Sequence, residues 1–147
     1  MRNKDQMILE SLYEGIGGQY WCAIVLDKPS REKLRHKFEH TIPEGWTIIC
    51  NHMTIDYGNP LYNQEDLDKE IHLVAHRVYG SKEYIAVEVE GYHRQETSQP
   101  AHVSIAEAPK HMQEKEHPPV SFKVELDKPL LLKGIVRNLP SALKHKL

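Results

Sequence analysis

Two short stretches of the chain carry residue types that move protons and hold anions. His52-Met53-Thr54-Ile55 and, fifty positions on, His102-Val103-Ser104-Ile105 repeat one pattern: histidine, apolar, hydroxyl, apolar. In a β-strand the side chains at i and i+2 share a face, so each copy presents an imidazole and a hydroxyl on one side and two apolar groups on the other. Two such strands facing each other across a cleft would bring both imidazoles and both hydroxyls around one phosphodiester. An imidazole titrates near pH 6.5, so near neutrality one ring can take a proton while its partner gives one. Each role is worth about 10²- to 10⁴-fold in rate. Thr54 and Ser104 would donate to the non-bridging oxygens, where charge builds up. Of the ten histidines, only these two have Ser or Thr two residues on.

Other residues offer supporting or rival chemistry. Tyr20, Trp21 and Tyr57 are aromatic rings near the motif strands and candidates for stacking on a base. Lys110 and His111 follow the second motif, while Lys133 and Arg137 share a face of the last strand and read as solvated. By alternation Cys50 shares the face of His52, and a nucleophilic thiol there is the covalent rival, although nothing nearby in sequence activates it. Cys22 and Cys50 are the only cysteines and read as reduced, small strand hydrophobes. His36 with His40 and His72 with His76 stand at helical i, i+4 spacing, but both pairs lack the Glu of His-Glu-x-x-His and a third ligand. A His-based metal hydrolase is thus the weaker alternative, and no metal or cofactor is expected.

Composition narrows the ligand. With 19 basic and 21 acidic residues in 147, the net charge is −2, which does not suit a protein that tracks duplex nucleic acid. A nucleotide, a cyclic oligonucleotide or an RNA 3′ terminus fits better. No apolar run reaches the roughly 18 residues of a membrane span, and the start lacks a secretory pattern, so a cytoplasmic location is expected.

The elements that must position the motifs follow from periodicity. Residues 4–14 space Met7, Ile8 and Leu12 as an amphipathic helix, so 1–19 read as a helical arm with a Gly-rich linker. The apolar run 20–26 predicts a buried strand. Asp27-Lys28-Pro29-Ser30 then supplies a cap and first turn for a helix to about Glu39, with Leu34 and Phe38 inward. Trp46–Tyr57 reads as one long strand carrying the first motif. Residues 71–79 and 84–90 form a hairpin, 91–100 a polar loop, and 101–106 the second motif strand. Residues 107–119 read as a flap beside the site, 121–126 and 130–136 as a closing hairpin, and 138–147 as a loose tail. Residues 20–137 make one α+β domain.

Paired His-x-Thr/Ser motifs on an α+β chain of this size resemble the two-histidine (2H), or LigT-like, phosphoesterases, over about Tyr20 to Val136. These include 2′,3′-cyclic phosphodiesterases of RNA repair and phage enzymes that destroy cyclic-nucleotide immune signals. The resemblance implies a bilobal fold, two antiparallel sheets flanking a central groove with helices outside. It further implies His52 and His102 as catalytic and Thr54 and Ser104 as phosphate-holding, in a metal-independent phosphodiesterase. The interval between motifs is short for that family, which implies one trimmed lobe. A protein that sequesters a nucleotide without cleaving it is the other reading of the same residues.

Overall fold

Alternation along the strands decides which residues form the core. In the computed structural model, which describes residues 20–57, 64–92, 101–109 and 120–140, β1 (Tyr20–Leu26) turns Cys22, Ile24 and Leu26 inward. It leads into α1 (Lys28–Phe38), followed by β2 (Thr47–Ile48) and β3 (His52–Tyr57). A short 3₁₀ turn precedes the hairpin of β4 (Glu70–Gly80) and β5 (Tyr84–Glu90). The described elements end with β6 (His102–Glu107) and β7 (Phe122–Pro140).

Six strands close on themselves. Each of β6, β3, β1, β7, β4 and β5 pairs antiparallel with the next, and β5 returns to β6 along Tyr84–Glu88. The two-residue β2 lies outside this ring, on the edge of β6 that β3 also uses. All six strands and α1 contribute to one principal core, with Leu26, Leu34, Met53, Ile55, Leu73, Val87, Val103, Ile105 and Leu132 almost wholly buried. Closure removes the open sheet edges that would otherwise template pairing with other chains.

This barrel corrects the expected fold: one sheet closed on itself, with a single helix among the described residues, replaces two sheets flanking a groove. Two local causes are visible. The expected strand 46–57 breaks at Cys50, which adopts a left-handed φ of 54°. The break leaves β2 and β3 end to end along one edge of β6, tied there by Ile49 N and Cys50 N donating to the carbonyls of Ile105 and Ser104. The expected closing hairpin is instead one continuous 19-residue strand. Against β4, Glu125 pairs with Arg77 and Leu130 with Ala75, so residues 126–129 bulge opposite the single residue His76. A bulge tolerates Pro129, which has no N–H to give to a ladder. Beyond it, β7 lies between β4 and β1 and runs on through Asn138 to Pro140.

The helix forms where its cap is encoded. Asp27 Oδ1 accepts the Ser30 N–H at 2.9 Å, Pro29 sits in the first turn, and Arg35, His36 and Lys37 oppose the negative end of the helix dipole. Ser30, Leu34 and Phe38, four residues apart, form its buried stripe. The Ser30 hydroxyl accepts the Lys133 N–H at 2.8 Å, which fixes the helix against β7. The expected helix 4–14 lies outside the described residues, as do the arm and most of the flap.

Candidate functional site

Met53 and Val103 are Cα partners in the antiparallel β3–β6 pair. That register sets His52 opposite Ser104 and Thr54 opposite His102. Met53, Ile55, Val103 and Ile105 belong to the core, so the two imidazoles and two hydroxyls share the other face. The structure brings all four motif residues together, but on neighbouring strands of one sheet rather than on opposed walls. His52 and Thr54 are each only 8% exposed, and His102 and Ser104 are half-buried.

Cross-strand register extends this patch in two rows. One runs Ile135, Val25, His52, Ser104, Ala86, Tyr79 from β7 through β1, β3, β6 and β5 to β4. The other runs Arg137, Ala23, Thr54, His102, Glu88, Arg77 over the same strands. The quartet therefore sits between two small apolar clusters, Ala23 with Val25 and Leu139 on one side, Tyr79 with Tyr84 and Ala86 on the other. The Tyr79 ring meets His102 edge-on, with centroids 6.2 Å apart. His52 Nδ1 donates to Asn51 Oδ1 at 2.6 Å, which makes Nε2 the basic nitrogen of the neutral ring.

A charged network closes the β4–β5 end. Glu88 receives Arg77 on Oε2 at 2.8 Å and Lys123 on Oε1 at 3.0 Å, and Arg77 also pairs with Glu125. Burial alone would raise the Glu88 carboxyl, but hydrogen bonds and charge from Lys123 and Arg77 outweigh it and hold the group below its ordinary value. At the far end of the same row Arg137 is paired with Asp68.

The remaining candidates resolve as follows. Tyr20 and Trp21 lie in β1, and Tyr57 ends β3, where its backbone pairs with that of Trp21. Lys110 and His111 fall outside the described residues. Lys133 pairs with Asp27 at 3.7 Å and Glu70 at 4.0 Å, so it joins strand to helix cap. Cys50 does not share the face of His52: its left-handed backbone breaks the alternation and turns the thiol into the core, where it donates to the Ile105 carbonyl at 3.4 Å. Burial pushes this thiol up to about 11, the opposite of nucleophile activation.

The metal alternative also fails among the described residues, where no group of three His, Cys, Asp or Glu could hold an ion. His36 and His40 both lean on Glu39 at the exposed end of α1, at 3.5 and 3.4 Å. His72 and His76 lie on strand β4, where four residues span roughly 13 Å. Their interval suits ligation only on a helix. Sequence reasoning missed Asn51, Tyr79, Arg77 and Glu88. Glu88 had one signal, a lone carboxylate in the otherwise apolar centre of YIAVEVE.

No protein-family model matches the chain, and no curated protein matches it. The fold corrects the functional expectation as well. The resemblance implies a 2H phosphodiesterase acting by paired-histidine acid and base catalysis in a two-lobed groove, and the closed barrel lacks that scaffold. The RNA-repair and immune-signal activities implied by the same likeness lose their basis with it. Among the described residues, no helix is long and apolar enough to cross a membrane.

Proposed function

We propose that the protein is a binding module that holds a small phosphate-bearing nucleotide on the face of β3 and β6 away from the core, without cleaving it. One observation carries the reading: the Met53–Val103 pairing, which gathers four anion-compatible side chains onto adjacent positions of a single sheet. Thr54 and Ser104 supply hydroxyl donors and His102 a ring N–H, while His52, whose Nδ1–H goes to Asn51, can donate from Nε2 only as the imidazolium. The apolar clusters on either side give a base or ribose something to lie against. Binding without turnover requires no opposed acid and base. The near-balanced charge favours a nucleotide, a cyclic oligonucleotide or an RNA 3′ end over a duplex. A cytoplasmic setting belongs to the same reading, supported by two buried cysteines that form no disulfide.

The test is calorimetric titration of the full chain with a 2′,3′-cyclic nucleotide, a cyclic dinucleotide and a short RNA ending in a cyclic phosphate, each recovered and weighed by mass spectrometry. We expect one of them to bind and to be recovered intact. The T54V/S104A double variant should bind it at least tenfold more weakly, about 1.4 kcal/mol. Unchanged affinity in that variant overturns the site, and conversion of the ligand overturns the claim that it is held uncleaved.

A further inference from the structure

A cleft lies behind the first motif, lined by none of the quartet. Lys28, Arg31 and Arg35 fall at i, i+3 and i+7 of α1, one residue round from the buried stripe of Ser30 and Leu34. Together with Glu32 they form one wall of a cleft of about 350 Å³, within the range of small-molecule pockets. The other wall is the segment 48–51, where Ile48 and Ile49 give an apolar surface and Asn51 a polar one.

The walls are built rather than incidental. Ile49 N and Cys50 N donate to the carbonyls of Ile105 and Ser104, and Leu26 N donates to Asn51 O at 3.0 Å, so residues 49–51 are pinned to β6 and β1. Arg31 is oriented by its Nε donating to the Leu26 carbonyl at 2.8 Å. Lys28 reaches Glu32 only at 4.0 Å. Among the described residues no carboxylate pairs with Arg35, whose charge is felt instead by the Cys50 thiol on the opposite wall. Three cations against one carboxylate leave an excess of two positive charges facing two isoleucines.

We propose that this cleft binds an organic phosphomonoester. Its dianionic phosphate would seat against Arg35, Arg31 and Lys28, and its apolar or aromatic body against Ile48 and Ile49. Two negative charges match the excess of the wall, and the planar guanidinium groups suit a phosphate's paired oxygens. Asn51 lines this cleft and also receives the His52 ring, so the two sites share one residue.

Titration of the isotopically labelled full chain with adenosine 5′-monophosphate, followed by amide NMR, tests the assignment by position. We expect saturable shifts at the amides of Ile48 to Asn51 and at Arg35 Nε. The K28A/R35A variant should need at least tenfold more ligand for the same shifts, whereas Lys37→Ala, on the helix but outside the cleft, should stay within twofold. T54V/S104A should keep the cleft shifts unchanged, which separates this site from the quartet. Inorganic phosphate should saturate only at tenfold higher concentration, and saturation at equal concentration overturns the apolar wall's role. Absence of shifts at residues 48–51, or their survival in a K28A/R35A protein whose spectrum is otherwise folded, overturns the site itself.

Discussion

The β3–β6 pair has two faces made of alternate residues on the same backbone, and they differ in everything but register. Toward the core stand Met53, Ile55, Val103 and Ile105, none more than 1% exposed. Away from it stand His52, Thr54, His102 and Ser104, packed closely enough to be half-buried or better yet polar throughout. The first face explains why the strands pair at all, since each large side chain removed from water contributes about 1.5–3 kcal/mol. The second gains far less from burial, because every polar atom it covers must be hydrogen-bonded to avoid a penalty. One pair of strands thus sets a core-forming face and a polar face a single residue apart.

Truncation on the two faces should therefore differ by the largest margin in the molecule. Ile105→Ala opens a cavity in a core shared by all six barrel strands and should cost about 2–5 kcal/mol. Ser104→Ala, its chain neighbour, should cost less than about 1 kcal/mol. Urea unfolding of the two variants side by side checks this. Equal losses would mean that the polar face is structural too, and the division into two roles would fall.

A middle-sized effect probes the charged end of the polar face. Glu88 sits in the row of Thr54 and His102, with one cation on each carboxylate oxygen. Its folded-state pKa is held below the ordinary value, so its contribution is complete above the unfolded-state range, about pH 4.3. That contribution is lost as pH falls through the folded-state value. The wild-type urea midpoint should accordingly drop more steeply on acidification below about pH 5 than that of Glu88→Gln, while at pH 7 the variant should be the less stable of the two, by about 1–3 kcal/mol. Parallel pH profiles would show that the network is a surface arrangement without consequence for the fold.

What was legible in the sequence follows the range of the interactions. The helix cap at Asp27, the inward Leu34 and Phe38, the β4–β5 hairpin and the inward set on β1 are fixed by neighbours within a few residues, and periodicity finds them. That each histidine shares a face with the hydroxyl two residues on was also readable, because alternation settles it once the segment is a strand; that the two strands are neighbours in one sheet, rather than opposed across a cleft, was not. Closure was not. It depends on β7 serving both β4 and β1 and on β6 pairing with β3 as well as β5, and the β7 and β3–β6 pairings join residues far apart in sequence that leave no local periodic trace. Pro129 and the charged residues before it read as a turn because the same residues suit a bulge. The left-handed Cys50 is a non-glycine in a conformation its type does not advertise, so alternation alone puts the thiol on the wrong face. A resemblance resting on two four-residue motifs could say what those strands carry, but not how the intervening chain is wound.

The smallest expected effect asks whether α1 belongs with the core or with the ligand. Asp27 caps the helix, and the hydrogen bond from Ser30 is the main reason its carboxyl lies below the ordinary value, with Lys133 adding to it against a small cost of burial. Asp27→Ala removes that acceptor and should lower stability by about 1 kcal/mol, and Asp27→Asn, which keeps an oxygen in place, should recover most of it. Because Leu34 and Phe38 anchor the helix independently of its first turn, binding on the polar face of β3 and β6 should stay within twofold in both variants. The phosphomonoester cleft, whose wall begins at Lys28 immediately after the cap, should weaken in Asp27→Ala alone. If both ligands weaken together, the helix and the polar face form a single site, and the boundary drawn between the two regions lies in the wrong place.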